Sequence, residues 1–218
     1  DFIGLNYYTR SVVRHDPAAW PVPAVAVRQT GATHTETGWE MHAPSLTETL
    51  LWLHREYGGL PLYVTENGAA LMDPPAAIGG CVEDPLRIHY LRTHIEAVHT
   101  AIQQGADLRG YCAWSLFDNL EWALGFSKRF GLVHVDFQTL ARTPKASARW
   151  YSRVIASHGE ALGEVLDELD PVAARPVVEQ ARHDLPDPRL ERAHARRHEM
   201  LAESAAQLGV VRGIHVVE

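Results

Sequence analysis

The sequence has 218 residues, 46% of them hydrophobic, and a formal net charge of −7; it is long enough to bury a core, contains no apolar run of membrane-spanning length, and shows no clustering of basic residues of the kind that nucleic acid requires. Two cysteines, Cys81 and Cys112, are too few for a disulfide framework and lack metal-cluster spacing, so two ordinary thiols in a reducing compartment are expected. A soluble cytoplasmic protein without membrane or nucleic-acid partners follows, and a first residue of Asp1, not Met, predicts that the natural N-terminus lies upstream.

In chain order, residues 2–8 form a short apolar strand and residues 46–57 repeat apolar side chains with helical period. After Gly58-Gly59, residues 62–65 read as a buried strand, and Asp84-Pro85 reads as N-cap and N1 of a helix that runs to about Gln104 and stops at Gly105. Residues 110–116 form a third strand, and Thr143-Pro144 opens a third helix through Trp150 and Val154. This alternation predicts an α/β fold with a parallel sheet covered by helices. Every Trp, Tyr and Phe lies at or before Tyr151, which divides the chain into residues 1–157 and a tail, 158–218. In the tail, Asp187-Pro188 predicts a helix ending near Gly209, and residues 210–217 can start a strand. His194 and His198 are one helical turn apart, but no third ligand accompanies them and Arg196 and Arg197 disfavour a cation, so a solvated face is expected and no metal.

The polar residues gather where the strands end. Asn6 and Tyr8 close the first strand, Thr65-Glu66-Asn67-Gly68 the second, and Ser115, Asp118, Asn119 and Glu121 follow the third. In parallel α/β folds the carboxyl ends of the strands are where ligands bind. An Asn-Gly pair alone marks only a turn, and a Trp near a Glu is usually core beside a surface charge; three such groups on one rim point to a site.

The runs Phe2-Ile3-Gly4-Leu5-Asn6-Tyr7-Tyr8-Thr9, Gly38-Trp39-Glu40-Met41, Leu62-Tyr63-Val64-Thr65-Glu66-Asn67-Gly68 and Trp114-Ser115-Leu116-Phe117-Asp118-Asn119-Leu120-Glu121-Trp122, followed by Ser127-Lys128-Arg129-Phe130-Gly131, resemble successive signatures of glycoside hydrolase family 1, in that family's order. The resemblance covers residues 1–157 and implies the last three strand–helix units of a (β/α)8 TIM barrel, followed by a mainly helical tail. It also implies a retaining β-glycosidase, in which one carboxylate attacks the anomeric carbon and a second carboxyl group protonates the leaving oxygen and later activates water. No cofactor is needed.

By this resemblance Glu66 is the nucleophile, with Tyr8 and Asn6 as hydrogen-bonding neighbours that keep a carboxylate ionised. Tyr7 fits a sheet-packing role better, and Thr65 and Asn67 fit structural ones. Trp114 is implied as a platform beneath the sugar, with Glu121 and Trp122 at its outer hydroxyls. Trp39 resembles an aglycone contact, although a loop-packing role fits it nearly as well. Family members acting on 6-phosphorylated sugars carry Ser in place of Glu121 and Tyr in place of Phe130. Since a carboxylate repels a phosphate dianion, β-glucosides or β-galactosides are the expected substrates and a 6-phospho-β-glucosidase the lesser alternative. The family's acid/base lies in an Asn-Glu-Pro motif, and no Asn-Glu-Pro occurs in this sequence. A fragment whose acid/base lies upstream is the first expectation; a non-catalytic carbohydrate-binding or interaction remnant of the barrel is the alternative. Oligomeric state has no signature in the sequence.

Overall fold

A computed structural model describes residues 1–73, 80–163 and the backbone of 214–216. Its centre is a parallel three-stranded sheet in the order β1 (Ile3–Asn6), β4 (Leu62–Asn67), β5 (Leu108–Ala113). Strands β2 (Ser11–His15) and β3 (Ala24–Ala26) form an antiparallel pair beyond β1, and Ile214–Val216, β8, lies parallel to β2. Two short strands, β6 (Val133–Val135) and β7 (Arg142–Pro144), make a second antiparallel pair.

Three helices follow the central strands. Pro44 occupies the first turn of α1 (Pro44–Glu56), where its missing N–H leaves no bond unmade, and Leu46, Leu50 and Leu53 fall on one buried stripe. Helix α2 (Pro85–Gln103) buries Ile88, Leu91, Val98 and Ala101, and Gly105, at φ 99°, carries the chain into β5. Helix α3 (Ala146–Ala156) buries Trp150 and Val154 one turn apart. The core has two parts. Leu46, Leu50, Leu62, Val64, Val98 and Ala101 pack α1 and α2 onto one face of the sheet, while Ile88, Leu91, Leu132, Trp150 and Val154 seal α2 against α3. On the opposite face Gly4, Asn6, Thr65, Arg109 and Cys112 are exposed, and among the described residues β1 and β5 are the sheet's edges.

Two sequence expectations change. Thr143-Pro144 does not open a helix: Arg142–Pro144 pairs with Val133–Val135, and α3 begins after Lys145, whose extended backbone donates from its N–H to the Leu132 carbonyl at 2.9 Å. The strand pairing satisfies the backbone through Pro144, so the helix starts two residues later, at Ala146. Asp84 does precede Pro85 at the N-terminus of α2, but its carboxylate makes no cap hydrogen bond. It accepts instead from Arg87 Nε at 2.9 Å, from the Ser147 N–H at 2.8 Å and from the Ser147 hydroxyl at 2.5 Å, fastening α2 to the start of α3. Cys81 is buried and Cys112 exposed, and both are free thiols. The predicted tail helix and the His194/His198 pair lie outside the described residues, whereas the strand expected within 210–217 is seen as β8.

Candidate active site

The carboxyl ends of β1, β4 and β5 meet at one rim. There the parallel β1/β4 register shifts after Leu5, pairing Asn6 with Glu66. The Tyr7 N–H donates to the Glu66 carbonyl at 2.9 Å, and the Tyr8 hydroxyl donates to Glu66 Oε2 at 2.6 Å. The second bond lies at the short end of the range for a hydroxyl donor. Burial, then the hydrogen bond and charge of Glu66, push the Tyr8 pKa far up, so the proton stays on the phenol and Tyr8 acts as a donor. Asn6 is turned to a different partner: its Oδ1 accepts from the Thr65 hydroxyl at 2.6 Å. Tyr7 is buried, with its hydroxyl donating to the His42 carbonyl at 2.7 Å, as expected of a packing residue.

Trp39 reaches the same place from a loop. The turn holding it is closed by the Thr35 hydroxyl, which accepts the Trp39 N–H at 3.2 Å, and by Gly38 at φ 78°, where an L side chain is strained. Arg10 grips Glu40 through Nε and Nη2, both at 2.9 Å, which ties that loop to the chain leaving β1. The Trp39 ring then lies 5.3 Å from Tyr8 and 6.2 Å from Phe130, and Phe130 meets Tyr8 edge-on at 6.2 Å. These three rings wall the side of the rim that holds the Tyr8–Glu66 bond.

Close approach of β4 and β5 depends on Gly68, since a Cβ there would overlap the Trp114 carbonyl. The Trp114 N–H donates to the Asn67 carbonyl at 2.9 Å, so this half-buried Trp leaves its strand beside the residue that follows Glu66. Beyond it, Ser115 and Asp118 donate from their N–H groups to the Phe130 and Val133 carbonyls at 3.2 and 3.1 Å, which folds the 114–122 segment against 130–133. Glu121 is 7% exposed, and its charge adds to the raising of the Tyr8 pKa. Trp122, by contrast, is 79% exposed, at φ 40° in a short 3-10 turn. The structure therefore brings together Glu66, Tyr8, Trp39 and Phe130, sets Trp114 and Glu121 alongside, and leaves Trp122 exposed.

A charged cluster not anticipated from sequence supports this loop. Asp118 Oδ2 accepts from Arg129 at 2.8 Å, and its Oδ1 accepts from the Gly131 N–H at 2.9 Å and from Lys145 Nζ at 3.1 Å. Burial would raise the Asp118 pKa, but Lys145 and the hydrogen bonds outweigh it and hold it lowered. Asp73, Asp118 and His134 come within 4.8 Å of one another, a spacing open to a cation. Lys145 Nζ already stands there, 2.6 Å from Asp73, and supplies the positive charge itself. Arg87 extends the cluster, donating to the carbonyls of Ala69 and Arg129 at 2.5 and 3.0 Å. An acidic residue three positions before Glu121 was the only sequence sign of this arrangement, because Lys145 and Arg87 join it from distant elements.

Comparison with known proteins identifies the family. A profile described as "Glycosyl hydrolase family 1" matches residues 1–160. A bifunctional β-D-glucosidase/β-D-fucosidase of Bifidobacterium breve is 46% identical over 173 residues, covering 72% of this chain and 37% of that protein. A 1,4-β-D-glucan glucohydrolase of Thermotoga neapolitana is 47% identical over 160 residues, covering 73% and 35%. Among solved structures, the β-glucosidase of Thermotoga maritima in complex with glucoimidazole superposes with a TM-score of 0.69 at 43% identity, over 73% of this chain and 35% of that one. The chain thus spans little more than a third of the length of the curated relatives it matches. On the profile match and these identities together, the chain belongs to glycosyl hydrolase family 1.

Proposed function

We propose that this chain carries the attacking carboxylate and part of the sugar pocket of a retaining β-glycosidase that removes terminal β-D-glucosyl or β-D-galactosyl residues. Glu66 forms the covalent glycosyl-enzyme; Tyr8 holds its Oε2, and Trp114, Glu121, Trp122, Phe130 and Trp39 surround the sugar. The observation that carries this reading is the 2.6 Å hydrogen bond from a phenol to the Glu66 carboxylate at the point where three parallel strands end. A hydroxyl that keeps its proton orients the carboxylate without neutralising it, as a nucleophile requires. Asn6 stands beside Glu66 in the strand register, and its side chain supports the site through Thr65.

In this reading residues 1–157 are the last three strand–helix units of a (β/α)8 barrel and 158–218 a separate tail. The acid/base comes from the part of the barrel that the relatives possess and these residues do not match. Proton donation to the leaving oxygen contributes about 10²- to 10⁴-fold, so residues 1–218 alone hydrolyse no β-glucoside. The buried Glu121 and the ring at Phe130 favour unphosphorylated sugars. The absence of Asn-Glu-Pro from the sequence is also what a non-catalytic sugar-binding remnant would show, and the two readings separate in one experiment. The upstream portion of the T. neapolitana relative is joined to residues 1–160, the span of the family match, and the completed barrel is assayed on an aryl β-glucoside. Turnover that Glu66→Ala abolishes and azide restores, with inverted product, supports the enzyme reading. A Glu66→Ala barrel as fast as its parent, or a parent that binds sugar without turnover, overturns it.

A further inference from the structure

Asn67 follows Glu66 on β4 and is wholly buried, in a strand where an amide must find every partner internally. It does so by reaching both neighbouring strands. Its Oδ1 accepts from the Tyr111 hydroxyl of β5 at 2.6 Å, and its Nδ2 donates to the Tyr7 carbonyl at the end of β1 at 2.7 Å and to the Tyr90 hydroxyl of α2 at 3.0 Å. The Tyr90 hydroxyl, having accepted that bond, donates to the Tyr8 carbonyl at 3.2 Å. Each donor and acceptor has one consistent direction, and burial raises the pKa of Tyr90 and Tyr111, keeping both as donors. The network sits where the ladders break step: the registers shift between Leu5 and Asn6 in β1 and between Val64 and Asn67 in β4. Backbone bonds resume beyond each shift, from the Tyr7 N–H to the Glu66 carbonyl and from the Trp114 N–H to the Asn67 carbonyl, and the side-chain network braces the strand ends beside them.

We propose that Asn67, with Tyr90 and Tyr111, is a positioning unit that sets the Tyr8–Glu66 hydrogen bond and so the attack geometry of the nucleophile. It holds the chain on either side of that bond: it donates to the carbonyls of Tyr7 and Tyr8 just beyond β1, and Asn67 itself directly follows Glu66 on β4. Asn67 and Tyr90 are fully buried and Tyr111 packs against the core, so the three act through the chain they hold. The proposal rests on Glu66 being the nucleophile.

The test uses the completed barrel, with rates counted per site titrated by an activated 2-deoxy-2-fluoro glucoside, so that any misfolded fraction is excluded. Tyr90→Phe keeps the ring and removes only the hydroxyl; Tyr111→Phe does the same at Asn67 Oδ1. Misplacement on the scale of an ångström costs about 10²-fold, so each variant is expected to lose about 10- to 100-fold in kcat, with KM within about twofold. In a Tyr8→Phe background, where the bond to Glu66 is already gone, Tyr90→Phe should cost less than about threefold more, because the two act through one contact. Unchanged kcat in Tyr90→Phe, or losses that multiply in full in the double variant, would overturn the positioning role while Glu66→Ala remained inactive. An active Glu66→Ala barrel would instead strike at the nucleophile itself. Tyr90→Phe decides the matter alone if Tyr111→Phe yields no titratable sites.

Discussion

At position 121 a buried carboxylate lies close enough to Tyr8 for its charge to be felt there. Hydrogen bonds from sugar hydroxyls to a charged acceptor contribute about 1.5–3 kcal/mol each, so in the completed barrel Glu121→Ser should lower kcat/KM on an aryl β-glucoside by about 10- to 100-fold. Combined with Phe130→Tyr, it should raise the relative rate on the 6-phosphoglucoside, read as the ratio of the two kcat/KM values. A parent barrel already preferring the phosphorylated sugar would contradict this reading of the pocket. Gly68 supplies a second expectation at this scale. With a Cβ there overlapping the Trp114 carbonyl, Gly68→Ala should displace the β5 end and cut kcat/KM by at least about tenfold, while a surface glycine such as Gly31, which has open space around it, tolerates the same change. Glu66 and Tyr8 could be picked out from their own short runs. Asn67 could not: its three partners lie 23 to 60 positions away, and an Asn before a Gly ordinarily signals a turn.

Among the elements, α2 and α3 are joined by one carboxylate. Asp84 takes Arg87 Nε and both donors of Ser147, and Arg87 is itself almost fully buried. Asp84→Ala leaves that guanidinium with one fewer anion in the interior, and breaking a buried pair from one side costs about 3–5 kcal/mol; denaturant melts of the completed barrel should show a loss of this order. Loss below about 1 kcal/mol would mean that Asp73, 3.3 Å from Arg87 Nη2, suffices alone. The start of α2 was legible because Pro at the first turn is a local rule that it obeys, whereas α1, read from apolar period as residues 46–57, begins two residues earlier at Pro44. The same rule failed at Pro144, where pairing with β6 outcompetes helix initiation. Capping by Asp84 failed similarly, since a buried Arg and Ser offer its carboxylate stronger partners than the backbone of its own helix.

For the whole molecule, acid should be the weak side. His94 is buried in α2, stacked on Tyr90 at 3.9 Å, with Nδ1 donating to the Tyr90 carbonyl at 2.8 Å and no partner for Nε2 among the described residues. Burial lowers its pKa to about 4; the Tyr90 carbonyl opposes that, and His42 and His89 add slightly to it. The unfolded chain binds a proton near pH 6.5 and the folded one only near 4, so the unfolded state holds more protons between those values. Stability is therefore complete above about pH 6.5 and declines as pH falls towards 4, by roughly 3 kcal/mol in all from this group. His94→Phe should flatten that stretch of the stability curve; an unchanged slope would show that other groups set it. On its own, the chain of 218 residues presents two sheet edges and an open sheet face among its described residues. It is expected to self-associate in light scattering and to show no β-glucosidase activity above a Glu66→Ala control.

The sequence by itself determined the strand–helix alternation, the rim on which polar residues collect and the family, because each rests on local rules: apolar period, proline placement, and short runs of residues in fixed order. Only the tertiary structure decided which neighbours those residues have. Asn6 engages Thr65, Trp122 is exposed, Lys145 fills the space between Asp73 and Asp118, and Asn67 binds three elements at once. Hydrogen bonds and ion pairs between distant segments depend on how strands are registered and helices docked, and a bulge of one residue is enough to exchange one partner for another.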